Sequence, residues 1–115
     1  MSVEVPDPWQ ALADPTRRHI FRRLTAHPST ATDLARGLPI SRPAVSQHLR
    51  VLLESNLVEV RQQGRQRFYH PHPDGLSVLR DELEIYWNQT LTTFKQVAEQ
   101  TYQENTTPQK EKNHE

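Results

Sequence analysis

The 115-residue sequence contains no cysteine. That excludes disulfide frameworks, thiolate metal sites, thiol redox sensing and cysteine nucleophiles together. Glycine is scarce, with three residues in the chain, so no glycine-rich loop is present to cradle phosphates. Apolar residues make up 34%, against roughly 45–50% in an ordinary globular domain. No apolar run exceeds three residues, as in Val51-Leu52-Leu53, whereas a membrane span needs roughly 20. The opening residues carry acids and prolines in place of the basic and apolar blocks of a secretory signal, so a small cytoplasmic protein with no membrane partner is expected. Residues 103–115 hold no apolar residue, which predicts a disordered polar tail there and a single domain with a modest core over 1–102.

Lysine is missing from everything before position 95, and the net charge of zero conceals a strong asymmetry. Residues 16–70 hold ten arginines against Asp33, Glu54 and Glu59, whereas residues 1–15 hold three acids and no base, and residues 71–115 hold eight acids and four bases. An arginine-only basic segment suits phosphate and base-edge recognition, because the planar guanidinium can engage two acceptors at once.

Helix-start signals recur in the first half. Asp7-Pro8 and Asp14-Pro15 each place an acceptor at an N-cap and a proline at the first helical position, predicting helices over 8–13 and 15–26. Thr30 with Asp33 resembles a capping box and opens a short helix to Gly37. Ser41 can cap the next helix, 41–55, whose Val45, Leu49, Leu52 and Leu53 form one buried stripe. Two β-compatible segments then flank Gln63-Gly64-Arg65, the pattern of a hairpin over 57–70. A long helix over 74–102 follows, with Leu76, Leu79, Leu83, Tyr86, Trp87, Leu91, Phe94, Ala98 and Tyr102 on one side. So small a domain cannot cover that face, and self-pairing is the economical explanation. Trp9, Leu12, Leu83, Trp87, Leu91 and Phe94 are the expected dimer contacts.

Short helix, glycine-containing turn, helix and hairpin make a winged helix-turn-helix, a mostly α fold with a small β-hairpin and a long C-terminal dimerisation helix. Opposite the buried stripe of helix 41–55 lie Pro43, Ala44, Gln47, Arg50 and Glu54, with Arg42 at the exposed start. Small residues at 43 and 44 allow close approach to a groove, and Gln and Arg hydrogen-bond adenine and guanine edges in the major groove. Ser46 and the helix N-terminus can bind phosphate. Arg65 and Arg67 share one strand face, with Phe68 expected to turn inward. Catalysis finds no support: Ser46 and His48 point to different helix faces, and Asp81 and Glu84 have no polarising partner or cleft. A winged helix used only for protein–protein contact is the competing class, for which Gln47, Arg50 and the wing arginines are unnecessary.

The elements Ala13-Asp14-Pro15-Thr16-Arg17, Ser41 with Val45-Ser46 and His48-Leu49, and Gly64-Arg65 with Arg67-Phe68-Tyr69 together resemble the ArsR/SmtB family of winged-helix repressors, over about residues 8–90. The resemblance implies a homodimeric repressor or autorepressor acting on two-fold operator DNA. It places Ser41, Arg42, Ser46, Gln47 and His48 on the recognition segment and Arg65 and Arg67 on the wing. The family's metal sensors carry a Cys-x-Cys element on the helix that here spans Thr30–Gly37, or an Asp/His set on the last helix. This chain has Ala31-Thr32-Asp33-Leu34 at the first place and no histidine between 73 and 113, so it is closer to the metal-free branch.

No cofactor and no metal site are therefore expected. His70 and His72 offer zinc two ligands where three or four are needed, and a metal site at that His-Pro-His loop is the minor alternative. His72 suits a helix cap, and His48 a hydrogen-bonding brace near the DNA surface. The inducing signal is left open among protein abundance under self-repression, an unidentified partner protein and a small apolar ligand.

Overall fold

The structure, a computed structural model, describes residues 6–113, with side chains described over 6–105. Its elements run α1 (Pro8–Ala11), α2 (Pro15–Ala26), α3 (Ala31–Arg36), α4 (Arg42–Glu54), β1 (Val58–Gln63), β2 (Gln66–Pro71) and α5 (Pro73–Asn113). Type and order match the sequence-based expectation, and the winged helix-turn-helix is present as α3, α4 and the hairpin. The chain divides after Arg80 into two units.

In the first unit, caps set the helix boundaries. Asp7 caps α1, accepting from the Gln10 N–H at 2.7 Å while the Gln10 side chain accepts from the Asp7 N–H at 3.3 Å. The expected helix 8–13 stops at Ala11, because the chain must leave helical geometry for Asp14, whose conformation before Pro15 is extended. Thr30 caps α3 and Ser41 caps α4, each accepting from the N–H three residues on. Helix α4 ends in a Schellman motif: Leu57 N–H donates to Leu52 C=O at 3.0 Å and Asn56 N–H to Leu53 C=O at 3.1 Å, with Asn56 left-handed at φ 61°. That reversal turns the chain straight into β1.

The core gathers Ile20, Phe21 and Leu24 of α2, Ala31 and Leu34 of α3, Val45, Leu49 and Leu52 of α4, then Leu57 and Val58, with Ala11 of α1. Leu53 of the expected stripe is only half-buried at its margin. The hairpin is antiparallel, Val60 opposite Tyr69 and Gln63 opposite Gln66. Its two-residue loop begins at Gly64, φ 62°, where a type II′ turn requires glycine. A backbone bridge from Tyr69 to Ser29, at 2.9 and 3.3 Å, fastens β2 to the α2–α3 connection and so fixes the wing beside α3.

One expectation about the wing is corrected by this bridge. Tyr69, not Phe68, is the aromatic residue of β2 packed on the core. Strand alternation then puts Arg67 on the same face as Tyr69, toward α3 and α4, and Phe68 on the opposite face.

Helix α5 starts against the α4–β1 turn, with Gly75 N–H donating to Asn56 C=O at 2.8 Å and His72 N–H to Leu57 C=O at 2.8 Å. As expected, His72 caps it: Nδ1 accepts from the Asp74 N–H at 3.1 Å. The second unit, from Asp81, is the rest of α5, and the helix runs past the expected end at 102 to Asn113. Residues 103–105 are exposed, and the other side chains of the expected tail lie outside the described residues. No helix among the described residues is long and apolar enough to cross a membrane.

Candidate nucleic-acid interface

The helix-turn-helix and the wing enclose a groove of about 730 Å³. Arg36 comes from α3, Arg42, Ser46 and Arg50 from α4, and Arg65 and Arg67 from the hairpin; Leu49, Leu53 and Tyr69 lie between them. Five guanidinium groups from three elements thus line one concavity, whose single carboxylate is Asp33. Asp33 is bound by Arg36 at 2.8 Å on the exposed surface, so the groove keeps a strong positive excess.

Why the sequence builds this is local. Ser41 Oγ accepts from the Ala44 N–H at 3.2 Å and aims the first turn of α4, which leaves its O–H able to donate outward. Arg42 Nε donates to Thr32 Oγ1 at 3.1 Å, tying the start of α4 to α3. Ser46 and Arg50 lie four residues apart on one helix face and both reach the groove. Gln47 is exposed on the outer face, outside the groove lining.

His48 is placed differently from the other expected recognition residues. It is half-buried and turns back toward the start of α2, where Arg17 Nη1 lies 3.5 Å from Nδ1 and Asp14 Oδ2 lies 4.0 Å away. It is thereby placed as a brace between α4 and the start of α2. The Asp14 carboxyl is held below its ordinary value, chiefly because it accepts the Arg17 backbone N–H at 3.0 Å, with the Arg17 and His48 charges adding to the effect. A depressed folded value means that its contribution to stability is present above the ordinary carboxylate range and fades as pH falls through the lowered one.

Sequence reasoning missed three participants. Arg36 joins the groove from the last turn of α3, and Thr32 orients Arg42. Arg17, one of the ten arginines of the basic segment, faces inward: Nε donates to Ala11 C=O at 2.7 Å and Nη2 to Gln10 C=O at 3.3 Å. Arg18 is likewise engaged, with Leu12 C=O at 2.9 Å. The signal for both was the Asp14-Pro15 cap, which brings the next turn of α2 over the end of α1.

The expected dimer residues fall in both units. Leu83 is 57% exposed, Trp87 62%, Leu91 47% and Phe94 69%, all within the α5 segment after Arg80. In the first unit Trp9 is exposed on α1, whereas Leu12 is half-buried against the core. At the His-Pro-His loop, His70 Nε2 is buried without a hydrogen-bond partner among the described residues, and His72 is occupied by its cap. No cluster of three or more metal-ligating side chains occurs among the described residues.

Known proteins share this fold. The family described as "Helix-turn-helix domain" matches residues 12–61. The chain is 50% identical over 91 residues to the HTH-type transcriptional regulator Rv2034 of Mycobacterium tuberculosis, covering 79% of this chain and 85% of that protein. It is 34% identical over 80 residues to the transcriptional repressor SdpR of Bacillus subtilis, covering 70% and 86%. Among solved structures, a possible transcriptional regulator for arsenical resistance is 44% identical with a TM-score of 0.65, covering 70% of this chain and 84% of that one. An ArsR-like transcriptional regulator from Rhodococcus sp. RHA1 is 33% identical with a TM-score of 0.60, covering 76% and 86%.

Proposed function

This chain belongs to the ArsR/SmtB family of winged helix-turn-helix transcriptional regulators, and from that premise we propose how it meets DNA. It is a DNA-binding regulator, not an enzyme. In our reading it is a cytoplasmic homodimer that represses by occupying a two-fold operator. Helix α4 lies in the major groove, Gln47 and Arg50 read base edges, and Ser41, Arg42 and Ser46 hold the flanking phosphates. Arg65 and Arg67 follow the backbone from the wing. The observation that carries this reading is the arginine-lined groove between α4 and β2, with Gln47 exposed beside it on α4's outer face.

The exposed stripe Leu83, Trp87, Leu91 and Phe94 supports self-association through α5, since four large apolar residues standing in water favour burial against a second copy. Two heads held at a fixed spacing then match two half-sites about one helical turn apart. The test is a retardation assay on duplex DNA from upstream of the protein's own gene, against a scrambled duplex of equal length. Retarded complex on the first at concentrations that leave the second unbound supports the reading; equal retention of both at every salt concentration contradicts it.

A further inference from the structure

We propose that Arg17 and His48 form a positioning pin that sets the orientation of α4, and that His48 governs DNA specificity through this pin without touching DNA. The inference rests on the reading of α4 as the recognition helix.

The geometry is a hub with one cation at its centre. Arg17 sits at the third position of α2, directly over the end of α1. Its guanidinium donates from Nε to the Ala11 carbonyl and from Nη2 to the Gln10 carbonyl, which also accepts the Ala13 N–H, so it holds the C-terminal end of α1. The remaining nitrogen, Nη1, is turned to His48 Nδ1 at 3.5 Å, and His48 stands on α4, thirty-one residues away in sequence. Asp14 completes the set, its carboxylate accepting the Arg17 N–H at 3.0 Å and lying 4.0 Å from His48 Nδ1. One guanidinium therefore joins α1, α2 and α4.

Two features separate a pin from ordinary packing. Most of the contact between α4 and the core is made by Val45, Leu49 and Leu52, apolar side chains that resist separation but not rotation about the helix axis, and the Arg42–Thr32 hydrogen bond holds only the first turn. A directional contact off that stripe supplies the missing constraint. His48 is also next to Gln47 in sequence, so the turn of helix that carries the proposed base-reading side chain is the turn being held. A small roll of α4 moves Gln47 sideways along a base pair while leaving the apolar stripe in place, and it costs specificity before stability. The charged groups facing His48 are Arg17 of α2 and its N-cap Asp14.

The test uses the full chain and a duplex enriched by the wild-type protein from a randomised pool, with a scrambled duplex as reference. His48→Leu removes the Nδ1 contact, and His48→Asn restores an amide close to the Nδ1 position. The pin predicts that His48→Leu lowers the cognate-to-scrambled affinity ratio about tenfold or more, with an unchanged salt slope, and that His48→Asn stays within about threefold of wild type. It also predicts that His48→Leu costs no further specificity when Arg17 is already Met, since the two residues act on α4 through one contact. Additive losses, a lower salt slope with both His48 variants, or an unaltered ratio in His48→Leu would overturn the proposal. If His48→Leu does not fold, a His48→Asn variant that loses the ratio while melting as wild type does so equally. Failure of the wild type to enrich any sequence would remove the DNA-reading premise itself, an outcome distinct from all of these.

Discussion

Replacing Arg65 and Arg67 together with alanine isolates the contribution of the wing. Both side chains are exposed, so their removal leaves the core and the hairpin register intact. Each phosphate neutralised on duplex DNA contributes about 0.9 to the slope of log affinity against log salt, so losing two should flatten the slope by about 1.8. Between about 50 and about 200 mM salt, a fourfold change, the wild-type affinity should then fall about twelvefold more than that of the variant. Fluorescence anisotropy at several salt concentrations measures this, on the enriched duplex and on scrambled DNA, and the flattening should appear on both because phosphates carry no sequence. Arg18→Ala is the matched control: Arg18 is spent on the Leu12 carbonyl, so its loss removes a positive charge without removing a phosphate contact. An unchanged slope in the double variant, or an equal flattening in Arg18→Ala, would refute the placement of the wing on the DNA backbone.

Other outcomes follow from the same geometry. A methyl group added at Gly75 would lie 2.7 Å from the Asn56 carbonyl oxygen and 2.9 Å from that of Ser55, both backbone atoms. The helix-propensity gain of about 1 kcal/mol is smaller than the overpacking cost of about 1–3 kcal/mol, so Gly75→Ala should lower the urea midpoint, and a raised midpoint would contradict the close approach. Gly37→Ala meets only the Arg23 guanidinium, which can move aside, and should leave the midpoint nearly unchanged. Leu91→Arg places a charge in the proposed α5 seam and should yield monomer in sedimentation with loss of operator binding; a wild type that sediments as a folded monomer at micromolar concentration would remove the premise. Zinc, nickel, cadmium and arsenite at micromolar levels should leave operator affinity within about threefold, because His72 is engaged in a cap and the chain holds no thiol. A chelator-reversible tenfold loss that disappears with His70→Ala and His72→Ala would reverse that conclusion.

Much of this molecule was readable before its fold was known, for identifiable reasons. Asp14, Thr30 and Ser41 each announce a helix start by a local hydrogen bond, and the stripe Val45, Leu49, Leu52 fixes which side of α4 is buried. What escaped depends on contacts between distant segments. Phe68 and Tyr69 are adjacent aromatics, and a period of two is equally satisfied by either pointing inward; the backbone bridge to Ser29, forty residues upstream, decides for Tyr69 and carries Arg67 with it. Arginine count alone could not separate Arg17 and Arg18, which hold backbone carbonyls, from Arg36 and Arg50, which line the groove. His48 was legible as a brace from its place at the edge of the stripe, but its partners were not, because they lie on another helix.

The central claim is that the outer face of α4 reads DNA sequence, and Gln47→Ala tests it most directly. Gln47 is exposed and lies off both the buried stripe and the groove, so truncation leaves folding and phosphate contacts unchanged. Anisotropy titrations of wild type and variant on the enriched duplex and on scrambled DNA give the answer. Loss of about 1–3 kcal/mol, roughly five- to 150-fold, on the enriched duplex with no loss on scrambled DNA is the predicted result. Equal loss on the two duplexes, or none on either, would contradict it.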